Sequence, residues 1–318
     1  MCGIIGYLDK RGGHDRHVGK TLLSMLEALS CRGPDSAGVA VIGAPSPFWI
    51  MQVKLPEKGD LDRSATAILD YFRSHAGIVR HGVTGAYLRL EVEAPAEPAE
   101  LEATLLCHFP DTEVVSLGHR LQIVKQVGSP AALEKAYAIS KWHGSHGIGH
   151  TRMSTESRVD LSHSQPFWAH GVPDLATVHN GHITNYHKLR RIYEQRGYRF
   201  FTENDSEVIG IYLRERLAEG LSLPDALRSS LDDFDGSFSY LAVSADYMAY
   251  VKDSFGFKPL VVAETDDFVA IATEEIALRR ALGQDFTAYE PVPGTLKIWT
   301  KAGSQKLETR DQKPETRN

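Results

Sequence analysis

A cysteine at position 2 is the residue in this chain best suited to chemistry. Trimming of the initiator methionine would leave Cys2 as the first residue, carrying a thiol and a free amine together. An N-terminal α-amino group titrates at about 7.7–8.0, so near neutral pH it can accept the thiol proton, directly or through a water. The bland alternative is a cysteine that happens to follow the start codon. Other candidates lie in polar, glycine-punctuated loops: Arg32-Gly33-Pro34-Asp35-Ser36-Ala37-Gly38, His150-Thr151-Arg152 through Thr155, His179-Asn180-Gly181, and Asn204-Asp205-Ser206-Glu207. Each has a structural reading of its own. Gly33-Pro34-Asp35 alone justifies a helix stop and turn, and Asp205 or Ser206 serves as an N-cap worth about 1 kcal/mol. Asn180-Gly181 is either a tight hairpin turn or a loop presenting backbone N–H groups at a helix start.

Metal chemistry is disfavoured. Of the 14 histidines, only His143, His146 and His150 approach ligand spacing, and Gly144, Gly147 and Gly149 break any helix that would align them. Cys2, Cys31 and Cys107 are too scattered for a disulfide framework or a cluster. The net charge of -6 argues against a general nucleic-acid binder. No apolar run approaches the roughly 20 residues that span a bilayer, and the segment after Leu8 is unlike a signal peptide, so the chain is expected to be soluble and cytoplasmic.

With 318 residues, 42% of them hydrophobic, the chain can bury a sizeable core. Gly3 to Leu8 reads as a buried strand and Val18 to Ser30 as an amphipathic helix feeding, through the Arg32 loop, a strand at Val39 to Ile42. From about 59 to 141 an αβαβα pattern carries no recognisable chemistry and is taken as an inserted subdomain, with 93–100 as a solvated connector. Helices follow at about 186–196, 208–219 and 222–234, with strands at 236–244, 248–253, 260–264, 268–272 and 295–299 and a helix at 274–282. The charged tail 301–318 is expected to be disordered.

These motifs, in this order, resemble the class II glutamine amidotransferases of the N-terminal-nucleophile hydrolase superfamily, over about residues 2–300. Gly236-Ser237-Phe238 and Asp253 with Lys258-Pro259-Leu260 also fit. The resemblance implies an α+β fold, a four-layer αββα sandwich of two mainly antiparallel sheets, with 59–141 outside the usual core. It implies that Cys2 attacks the side-chain amide of L-glutamine, forming a γ-glutamyl thioester and releasing ammonia. The Asn180 side chain and Gly181 N–H would hold the oxyanion, Arg152 the substrate carboxylate and Asp205 its ammonium. Arg32 would support the nucleophile end, and Thr155 would line the pocket. Met153-Ser154-Thr155-Glu156 departs from the Trp-Ala-Thr-His of many relatives with sugar or nucleotide acceptors, removing an aromatic tunnel gate; Met153 is flexible enough to serve as a lid.

The Arg-Met-Ser-Thr-Glu-Ser run, the insertion and the length look most similar to the stand-alone glutaminase subunit of glutamate synthase-like complexes, including N-methylglutamate synthase. That implies no cofactor in this chain, with flavin and iron–sulfur clusters in partner synthase subunits. Two other classes remain: a free-standing amidase on another γ-glutamyl compound, and a non-catalytic scaffold subunit.

Overall fold

The computed structural model describes residues 2–154, 158–283 and 285–300. Three antiparallel sheets account for its strands. The first has seven, in the order β15 (Ala288–Tyr289), β13 (Val261–Glu264), β14 (Phe268–Ala272), β1 (Gly3–Asp9), β8 (His146–Arg152), β2 (Ser36–Ile42) and β7 (Leu121–Val127). The second has five: β16 (Thr295–Thr300), β12 (Tyr247–Lys252), β11 (Gly236–Val243), β10 (Ala176–Ile183) and β9 (Phe167–Trp168). The third has four: β4 (Gly77–Thr84), β5 (Tyr87–Glu93), β3 (Trp49–Lys54) and β6 (Glu113–Gly118).

β1 is buried along its whole length because it lies between β14 and β8 in one sheet while packing on β10 and β11 of the other. A strand covered on both faces needs a continuous apolar run, which Gly-Ile-Ile-Gly-Tyr-Leu supplies. Helices α1 (Val18–Ala28), α4 (Pro130–Tyr137) and α8 (Glu275–Ala281) pack on the seven-stranded sheet. Helices α6 (Glu207–Ala218) and α7 (Leu223–Asp233) pack on the five-stranded sheet, with α5 (Tyr186–Gln195) against α6. The result is a mixed α+β stack of helix, sheet, sheet, helix.

Strand pairing draws the insertion differently from the expected 59–141. β3, before residue 59, belongs to the third sheet, whereas β7 pairs with β2 along its full length and α4 packs on α1 and β2. The extra sheet therefore runs from Trp49 to Gly118, with α2 (Leu61–His75) and α3 (Pro98–His108) between its strands. α3 already begins inside the stretch read as a connector, with Pro98 in its first turn. Nor does the insertion keep a core of its own: Met51, Val53, Leu90 and Leu117 join the same apolar cluster as Leu121, Ile123 and Ile148. The tail 301–318 lies outside the described residues.

Candidate active site

Cys2 stands at the entry to β1, and its position is fixed from three directions. The Ile4 N–H donates to Thr273 Oγ1 at 2.8 Å, and the Thr273 N–H returns a bond to the Ile4 carbonyl at 3.0 Å. Arg32 Nε donates to the Cys2 carbonyl at 3.4 Å while its guanidinium pairs with Glu274. The Cys2 thiol donates to the Met153 carbonyl at 3.8 Å. The loop carrying Arg32 presses against β8 so closely that a Cβ on Gly33 would lie 2.4 Å from the Thr151 carbonyl carbon. Asp35 then ties the same loop to the chain after β8: its N–H donates to the Arg152 carbonyl at 3.0 Å and its Oδ2 accepts from the Ser154 N–H at 2.7 Å. The Arg-Gly-Pro-Asp motif thus acts as a clamp joining the nucleophile to the arginine segment.

Arg152 ends β8 and is buried, with Nη1 donating to the Arg158 carbonyl at 2.7 Å. Burial pulls its guanidinium below the usual arginine range, against the opposing pull of Cys2, Asp160 and Asp35. The returning loop is anchored by His163, whose N–H and Nδ1 meet Asp160 Oδ1 at 2.8 and 2.7 Å. Ser162 reaches into the third sheet, accepting from Lys54 and donating to Glu113, each at 2.5 Å.

β10 supplies the opposite wall. Phe238, opposite Gly181 in the register, receives the Asp253 N–H at its carbonyl (3.1 Å) and gives its own N–H to the Asp253 carboxylate (3.0 Å). Both of its backbone groups therefore face β12. Gly181 and Phe238 form a non-hydrogen-bonded pair, which turns the Gly181 N–H away from β11. On that side β9 covers only Ala176 and Thr177. The flanking donors are taken: the His179 N–H by Gln165 Oε1 at 2.6 Å, and the Ile183 N–H by Asp205 Oδ2 at 2.9 Å. Between them, the Gly181 N–H has no hydrogen-bond partner among the described residues. Only glycine fits here, because φ is 142° and a Cβ would lie 2.3 Å from the Ser237 carbonyl oxygen.

Asn180-Gly181 is thus neither a hairpin turn nor a helix start. It lies inside β10, which runs on to Ile183 before α5 begins at Tyr186. Asp205 likewise is no cap: Ser206 holds the cap position of α6 without a side-chain capping bond, and its Oγ meets His179 Nδ1 at 2.8 Å. Two buried histidines lie behind the wall. His150 Nε2 contacts the His179 carbonyl at 3.2 Å, and burial pushes the His150 imidazole down to about 3. Burial also lowers His179.

These elements surround a cavity of about 480 Å³ whose walls include Cys2, Arg152, Gly181 and Asp205. Met153, half exposed, also lines it. Two predicted residues stand off the wall: Arg32, which acts on the Cys2 carbonyl, and Asn180, buried in β10 opposite Ser239. Thr155 lies outside the described residues. Sequence reasoning passed over Gln165, whose amide bonds both the N–H and the carbonyl of His179. It also passed over Arg158 and took Ser206 only as a capping residue; the contact of Ser206 with His179 joins segments far apart in the chain and leaves no local signal. Among the described residues no group of three or more His, Cys, Asp and Glu is placed to hold a metal ion. No helix among them is long and apolar enough to cross a membrane.

Two face-to-face antiparallel sheets between helix layers, with a cysteine leading the central strand into a cavity walled by an arginine and a carboxylate, define the class. The chain belongs to the class II glutamine amidotransferase family. A family model described as a glutamine amidotransferase domain matches residues 150–280. A putative glutamine amidotransferase of Methanothermobacter thermautotrophicus is 34% identical over 94% of this chain and 99% of its own. The glutamine amidotransferase-like protein GlxB of Rhizobium meliloti is 34% identical over 94% and 98%. The glutamine phosphoribosylpyrophosphate amidotransferase from B. subtilis shares the fold, with a TM-score of 0.64 at 20% identity over 96% of this chain. The chain spans about half (48%) of that structure.

Proposed function

We propose that the chain hydrolyses L-glutamine to glutamate and ammonia through a γ-glutamyl thioester on Cys2, once Met1 has been removed. The observation that carries this reading is the Gly181 N–H, without a partner among the described residues, on the wall of a cavity that Cys2 also lines. A donor held ready, with its neighbours already engaged, meets a developing oxyanion without reorganisation; losing one such donor typically costs about 100- to 1000-fold in rate. The Cys2 amine takes the thiol proton as Sγ attacks the γ-carbonyl carbon, then gives it to the departing nitrogen, which leaves as ammonia. Water cleaves the thioester, releasing glutamate and restoring the thiol. Arg152 meets the α-carboxylate and Asp205 the α-ammonium, so that only an amide borne by a free amino acid is held at both ends. The Asn180 side chain joins Gly181 as oxyanion donor by resemblance, and the same resemblance assigns Thr155 to substrate binding.

The ammonia goes to a synthase partner of glutamate synthase type, whose own subunits carry any flavin or iron–sulfur centre; this chain needs no cofactor for amide hydrolysis. Support comes from the Arg-Met-Ser-Thr-Glu-Ser run and from a pair of exposed aromatics near the site. Phe255 and Phe257 are 62% and 76% exposed and stack at 5.9 Å, beside a groove that shares Thr184 with the glutamine cavity. Exposed aromatics grouped in this way mark protein contact surfaces. Release of ammonia and glutamate from glutamine, by the chain alone and with co-purified subunits, tests the proposal. Turnover is expected and is abolished in Cys2→Ala; no turnover in either setting overturns it.

A further inference from the structure

A second cavity, of about 520 Å³, lies where α3 of the insertion meets the turn after α5 and the outer face of α6. Arg196, Arg199 and Arg214 line it, together with His170, Phe201 and Glu102. The negative charge present is already engaged. Glu102 bonds His170 Nδ1 at 2.5 Å, and Arg196 pairs with Glu215. Arg199 and Arg214, by contrast, have no carboxylate within ion-pair distance among the described residues. Each is held instead over an aromatic face: the Arg199 guanidinium lies 4.7 Å from the Phe201 ring centre and that of Arg214 5.1 Å from Tyr198. Phe201 in turn stacks on His170 at 4.6 Å. An aromatic backing fixes the plane of a guanidinium while leaving its N–H fork free for a planar or tetrahedral oxyanion.

We infer that this cavity binds a small anion carrying at least two oxyanion groups, one for Arg199 and one for Arg214. The partners of such a ligand are two guanidiniums that no carboxylate of the described residues pairs with, the Glu102 carboxylate being engaged by His170, so the site favours charge over shape, and a phosphoanion or a polycarboxylate would satisfy it equally. One chain segment links the site to the candidate active site. Glu207, at the start of α6, accepts the Phe201 and Thr202 N–H groups at 2.7 and 2.9 Å, and the same segment continues through Asn204 and Asp205 into the glutamine cavity. Occupancy at Arg199 and Arg214 therefore acts on the residue assigned to the glutamine ammonium, a consequence that rests on the proposed glutaminase reading. The binding itself does not rest on it.

Calorimetric titration of the full chain with inorganic pyrophosphate and with citrate, at an ionic strength fixed by KCl, tests the site. Saturable binding of at least one probe is expected, weakened ten-fold or more in Arg199→Gln, which changes an exposed side chain, and in Arg214→Gln. Binding that is absent for both probes, or as tight in either variant as in the native chain, overturns the inference. Glutamine saturation measured with and without the bound probe is expected to shift several-fold in half-saturation, and no shift despite binding overturns the coupling to Asp205.

Discussion

Replacing Asp205 by asparagine removes a charge while leaving the local structure its hydrogen-bond acceptor. In the fold Asp205 Oδ2 accepts the Ile183 N–H at 2.9 Å, a bond the asparagine oxygen can keep. The nearest buried imidazole, His179 at 3.7 Å, is held neutral by burial near pH 7, and His182, also at 3.7 Å, is 74% exposed and screened by water. The Asp205 charge is therefore not spent within the protein and remains for the ligand ammonium. A hydrogen bond to a charged group contributes about 1.5–3 kcal/mol, and each 1.4 kcal/mol is about ten-fold in affinity. Asp205→Asn should then raise the half-saturation for glutamine about ten- to a hundred-fold, with a melting temperature close to that of the native chain. The assay compares glutamine with its analogue lacking the α-amino group, for which the variant should lose little. Equal losses on both substrates would refute the assignment of Asp205 to the ammonium.

Further outcomes follow from the same geometry. Gly181→Ala places a Cβ 2.3 Å from the Ser237 carbonyl, whereas Gly220→Ala, also at positive φ, meets nothing within 4 Å. The first should lose glutaminase activity and several kcal/mol of stability in urea unfolding, the second only about 1–2 kcal/mol; equal effects would contradict the close approach at β10. His150 is neutral in the fold, with its value at about 3. Below the ordinary histidine value near 6.5 the unfolded chain takes up a proton that the folded chain refuses, so stability falls as pH drops from there toward 3. Between pH 6.5 and 5 the native chain should lose about 2 kcal/mol more than His150→Gln, at about 1.4 kcal/mol per pH unit; matching pH slopes in urea unfolding would rule this out. Phe255→Ser with Phe257→Ser should leave glutamine hydrolysis by the isolated chain unchanged while reducing co-purification of synthase subunits, and undiminished co-purification would exclude that surface.

Elements whose burial is dictated locally were legible in the sequence. The apolar run of β1 and the stripe of α1 lie where the local pattern puts them. β4 was not, because all but one of its eight residues are exposed and it shows no buried face to alternate against. β3 and β6 were missed as short segments whose pairing partners lie far along the chain, and the sheet to which β7 belongs is a long-range fact that no local pattern carries. At the site, Cys2, Arg152, Gly181 and Asp205 were found through motif order and do line one cavity. The way they are held was not visible. Nothing in Asn180-Gly181 says that the pair continues a strand, since that depends on the approach of Ser237 and Phe238 from β11. The role of Asp205 as acceptor for Ile183 likewise depends on a contact 22 residues away.

The central claim is that one residue supplies both sulfur and base, and the mass of the mature N-terminal peptide from catalytically active protein tests it most directly. The account predicts a chain that begins at Cys2 with an unblocked amine. Full glutaminase activity in protein that retains Met1 would contradict it.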